Sequence, residues 1–72
     1  MNYKCNAFTY ENGNRRNRRD AVVLEVDHLE EVYKECTGFY KEGFLFVDIW
    51  AFVNQDWHYV GVFRLSSDLL YG

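Results

Sequence analysis

Residues able to do chemistry are few in this chain, and their spacing argues against catalysis. The two histidines are His28 and His58, and the two cysteines are Cys5 and Cys36. Neither cysteine has a Cys or His neighbour at metal-ligand spacing, so no metal site is expected. A Gly-rich phosphate loop, H-E-x-x-H and G-x-S-x-G are all missing from the sequence. Cys36 falls on an apolar helical stripe, where a thiol serves as a small hydrophobe. His28 stands at a helix start and His58 near a hairpin turn, each without a partner in a catalytic arrangement. A chain of 72 residues also has little room to enclose a pocket of about 300 Å³. We therefore expect no enzyme, no catalytic residue, no metal and no cofactor.

Charge is the second kind of chemistry. Arg15, Arg16, Arg18 and Arg19 lie within five positions of one another. Guanidinium forks pair with phosphates or with clustered carboxylates. The formal net charge is −3, and without these four arginines the remainder carries −7, four basic against eleven acidic side chains. The result is an acidic body with one basic segment, a pattern that steers a matching partner. The plainer reading of the run is a solvated hairpin loop. Glu25, Asp27, Glu30, Glu31, Glu35 and Glu42 gather around the expected helix, and their plain reading is a solvent face. The sharper one is that this acidic set imitates phosphates and enters the basic groove of a nucleic-acid-processing enzyme, with Glu31 and Glu35 among the contact residues. Small acidic inhibitors carried by phages and plasmids work in that way.

The third kind is aromatic. Six Phe, six Tyr and two Trp are more large rings than so small a body can hide. From Phe44 to Val53, odd positions carry Leu45, Val47, Ile49, Ala51 and Val53, while even positions carry Phe44, Phe46, Asp48, Trp50 and Phe52. A strand sends successive side chains to opposite faces, so one face is aliphatic and the other mostly aromatic. Asn54, Gln55 and Asp56 mark a turn, and a second strand runs to Leu65. With Val53 opposite His58, Ala51 meets Val60, Ile49 meets Val62 and Val47 meets Arg64. The other face then pairs Phe52 with Tyr59, Trp50 with Gly61 and Phe46 with Leu65. Trp57 and Phe63 complete the aromatic set.

The elements that position these residues follow from periodicity. Tyr3 to Glu11 reads as a strand, Asn12-Gly13 as a tight turn, and the arginine run extends that loop to Asp20. Ala21 to Val26 is a strand with Val22, Leu24 and Val26 on one face. Asp27 with Glu30 forms a capping-box pair. Leu29, Val32, Tyr33 and Cys36 then recur at helical spacing, and Gly38 supplies the stop. Phe39 to Gly43 connects to the hairpin, after which Ser66 or Ser67 caps a turn that tucks in Leu69 and Leu70. The expected fold is a single α+β domain over residues 1–72, ordered β-β-α-β-β. One helix covers one face of a four-stranded, mainly antiparallel sheet, and the aliphatic side chains suit that role.

No second helix remains to cover the aromatic side. We therefore expect a non-enzymatic protein-binding module, a small inhibitor or regulator, acting through Trp50, Phe52, Trp57 and Tyr59 with a charged rim. A homodimer would use the same surface. The alternative is a single-stranded nucleic-acid binder that stacks bases on the rings and phosphates on Arg15 to Arg19. Asp48 and the acidic helix oppose that alternative. With no hydrophobic leader and no apolar run near 20 residues, the expected setting is cytoplasmic, without a membrane partner.

Overall fold

Two periods, one of two residues and one near 3.6, generate the architecture in the expected order. The computed structural model describes residues 1–67, so the closing turn expected at Leu69 and Leu70 lies outside the described residues. Strand β1 spans Asn2–Glu11, β2 Asn14–Asn17 and β3 Val22–Glu25; helix α1 is Leu29–Lys41; β4 is Phe46–Val53 and β5 Asp56–Arg64. All pair antiparallel in the order β2-β1-β4-β5, with β3 also on β1. The fold is α+β, one helix on one face of the sheet. No helix among the described residues is long and apolar enough to cross a membrane.

The sheet has five strands rather than four, because the first part of the expected loop before Asp20 is itself a strand, while the expected strand from Ala21 to Val26 forms as β3. Asn12 and Gly13, at φ 53° and 81°, make the two-residue turn that Asn-Gly favours. Asn14–Asn17 pairs at once with the far half of β1, so the arginine run begins in a strand and not in a loop. Arg18 donates its backbone N–H to the Ala7 carbonyl, and its guanidinium binds the Asp20 carbonyl at 2.8 Å. That contact holds a bend, after which β3 pairs with the near half of β1.

Helix α1 differs at both ends. Its N-cap is His28 rather than Asp27, and the reaching carboxylate is Glu31 rather than Glu30, accepting from the backbone N–H groups of Asp27 and His28 at 2.9 and 3.1 Å. The helix runs through Gly38, so Phe39 to Lys41 are helical and not a connector. It stops at Gly43, φ 101°. Gly43 and Phe44 donate to the carbonyls of Tyr40 and Phe39, which is the paired closure of a Schellman motif. Phe39 and Phe44, both buried, form the apolar contact that accompanies it.

Val32, Cys36 and Phe39 face inward onto Cys5, Ala7, Val47, Ile49 and Leu65. The thiols are buried, and burial pushes Cys5 up to about 11 and Cys36 to about 12. The β4–β5 hairpin closes with a two-residue turn, Asn54-Gln55, that sets Val53 opposite Asp56 instead of His58. A bulge then inserts Val60 between the pairs Trp50–Tyr59 and Ile49–Gly61. One extra residue exchanges the two faces for everything beyond it. Phe63 therefore packs on the helix side against Tyr33, with ring centroids 5.8 Å apart, and Val62 moves to the aromatic side. Phe44 precedes β4 and is buried under the helix with Leu65, so neither belongs to the aromatic face.

Candidate protein interface

Opposite the helix, the sheet presents an open face whose side chains form rows across the strands. One row is Asn17–Phe8–Phe46–Arg64, the next Asn6–Asp48–Val62, and the third Val23–Lys4–Trp50–Tyr59. Glu25 beside Asn2 and Phe52 beside Trp57 end the face. Among the described residues nothing packs over it.

Two ring clusters occupy this face. Phe8 and Phe46 stack at 5.2 Å between centroids, with Tyr10 edge-on to both at 5.9 and 5.8 Å. Trp50 meets Tyr59 at 5.5 Å, and Phe52 meets Trp57 at 5.0 Å. The structure thus brings together the four rings expected from the sequence, with Trp50 opposite Tyr59 and Phe52 opposite Trp57. Cations cover rings throughout: Lys4 lies 4.9 Å from Trp50 and 5.0 Å from Trp57, Arg15 is 3.6 Å from Phe8, and Arg64 is 6.0 Å from Phe46.

Between the clusters sits Asp48, only 7% exposed. Arg15 donates to its Oδ2 at 2.6 Å, and the Tyr59 hydroxyl donates to its Oδ1 at 2.8 Å. This hydrogen bond, with burial and the Asp48 charge, pushes the Tyr59 phenol above its usual range, against an opposing pull from Arg15. Arg15 is itself held by Asn17 Oδ1 at 2.8 Å. These groups floor a shallow depression of about 290 Å³, walled by Phe8, Tyr10 and Phe46 and open to solvent. Its two charges, Arg15 and Asp48, pair with each other.

The arginine run does not act as one cluster. Arg15 points to the open face. Arg16 pairs with Glu11 at 3.2 Å and lies 5.5 Å from the Phe44 ring on the helix side. Arg18 pairs with Glu42 at 3.2 Å over Phe39. Arg19 is exposed, without an ion pair among the described residues. Glu31 and Glu35 stand on α1, across the sheet from the rings, and Glu31 is engaged as the cap. Its two backbone hydrogen bonds, to His28 and then Asp27, hold its carboxyl below the usual range.

Sequence reasoning missed Lys4, Phe8, Tyr10, Val62 and Arg64 as members of this face. The signal for the first three was present in β1, where small Cys5 and Ala7 alternate with Lys4, Asn6 and Phe8. Comparison of the chain with models of protein families, with curated proteins and with solved structures finds no match.

Proposed function

We propose that this chain is a non-enzymatic protein-binding module, a small regulator or inhibitor, whose working surface is the open sheet face. One observation carries the reading. The face opposite the helix holds two aromatic clusters, and Tyr59 (57% exposed), Phe52 (39%) and Val62 (54%) project from it into solvent. Exposed apolar surface gathered on one side of a small domain marks an interaction site. Tyr, Trp and Arg are the residues that dominate contact energies.

The arrangement lends less support to single-stranded nucleic acid. Phe8, on a central strand where a base would stack, is buried beneath the Arg15 guanidinium. Arg16 and Arg18 face the helix side in ion pairs, away from the rings. Absence of Trp fluorescence change on adding single strands at low salt is the expected result. Saturable, salt-sensitive quenching would reverse the preference.

Affinity capture of the tagged chain from its native host tests the main reading. Tyr59→Asp should abolish specific protein capture, while Glu35→Lys on the helix should leave it intact. The reverse pattern would move the working surface to the acidic helix.

A further inference from the structure

We infer that the occupant of the open face is a second copy of this chain, packed sheet against sheet about a two-fold axis; the inference rests on the reading of that face as a protein contact. The molecule measures 38 × 28 × 17 Å over its Cα atoms, two layers thick, with the sheet filling the two longer dimensions. That outline is on the scale of the ~800 Å² per partner that a standard interface buries. Of the nine large hydrophobic residues exposed to solvent among the described residues, Tyr10, Val23, Phe52, Tyr59 and Val62 lie on this one face.

Charge selects a second copy over another occupant. A two-fold interface sets one patch against itself, so the patch must carry both signs in complementary places. Lys4 and Arg64 on this face have no carboxylate, and Glu25 has no cation, among the described residues. The register places Glu25 and Arg64 at opposite corners. Glu25 lies beside Asn2 on outer strand β3, and Arg64 lies beside Phe46 on outer strand β5. A two-fold axis between the sheets, perpendicular to the line joining those corners, brings each Arg64 onto the other copy's Glu25. The corners are three strand steps apart (~14 Å) and six residues apart along β1 (~20 Å). The same operation therefore crosses the two sets of strands steeply, toward the near-orthogonal class of sheet packing. Both helices stay outside, with Glu30 and Glu35 still exposed.

Sedimentation velocity of the full chain, from low micromolar to near-millimolar concentration, tests this. The wild type should sediment as a dimer, and Phe52→Glu or Val62→Lys should each weaken dimerisation by at least about tenfold. Far-UV circular dichroism checks that each variant remains folded. Arg64→Glu or Glu25→Arg alone should weaken it by about threefold or more, and the two together should restore it. A monomer at every concentration, or a dimer indifferent to Phe52→Glu and Val62→Lys, overturns the proposal. A charge swap without restoration overturns the two-fold arrangement. A monomer that still captures a foreign protein through Tyr59 ends the second-copy inference alone. A monomer whose captures ignore the face ends the protein-contact reading as well.

Discussion

Asp48 and Arg15 form one ion pair but differ in their access to water, and that difference ranks their substitutions. The Asp48 side chain is 10% exposed and the Arg15 side chain 41%. In Arg15→Met, the methionine still covers Phe8, but a nearly buried carboxylate loses its cation. Breaking a buried pair from one side costs about 3–5 kcal/mol. Solvent at the Arg15 end screens the pair, and Tyr59 still donates, so we expect about 2 kcal/mol. In Asp48→Asn, the side chain keeps an acceptor for Tyr59 and Arg15 can turn into water, so the loss should be nearer about 1 kcal/mol. Combining Arg15→Met with Asp48→Leu removes both charges and should recover most of the deficit. Urea unfolding at one protein concentration, followed by Trp50 and Trp57 fluorescence, measures all four proteins. An Asp48→Asn cost above that of Arg15→Met, or a double variant no more stable than Arg15→Met alone, would show that the unpaired Asp48 charge is not what costs stability.

Helix α1 and the core beneath it answer to similar tests. Glu31 contributes stability that is complete above the ordinary glutamate pKa and lost as pH falls through its lowered one. Thermal melts should therefore show the gap between wild type and Glu31→Gln closing on acidification; a gap independent of pH would contradict the cap. Gly43→Ala should cost about 1–2 kcal/mol, because φ is 101° and no neighbour lies within 4 Å of the added Cβ, leaving the backbone alone to resist. Gly38→Ala, inside the helix with equally open space, should instead stabilise by up to about 1 kcal/mol in the same unfolding assay. With their thiols raised to about 11 and about 12, Cys5 and Cys36 should resist iodoacetamide at neutral pH until the chain is unfolded. Labelling at the rate of an unfolded thiol, followed by mass spectrometry, would show the core to be open.

Much of the fold was legible because side-chain periods carry it. The alternation from Phe46 to Val53 assigned both faces of β4 correctly, and the stripe from Leu29 to Cys36 located the helix. Boundaries were harder where two signals competed. Gly38 and Gly43 are each followed by a phenylalanine, so glycine chemistry alone cannot choose between them. Continuation of the stripe to Phe39 decides it, since an earlier stop would leave that ring outside the core. Asp27 with Glu30 and His28 with Glu31 fit the same four-residue frame, and backbone geometry chose the second. The β5 faces were misread beyond Tyr59 because a bulge adds one residue to a two-residue period. Only Gly61, at φ 154°, hinted at it. In the candidate site, the rings of one hairpin were readable from local order. Alternation in β1 sets Lys4 and Phe8 on one face, but placing them and Arg15 beside the hairpin's side chains takes pairing across more than thirty residues of sequence, which no local pattern encodes.

Photocrosslinking tests whether the open sheet face is, as proposed, a protein contact surface. A benzoylphenylalanine at Phe52, a ring already exposed on that face, should give a discrete protein adduct in the native host, either to another copy or to a foreign partner. The same probe at Lys34, exposed on α1 across the sheet, should give none. Adducts from Lys34 with none from Phe52 would place the contact surface on the helix side instead.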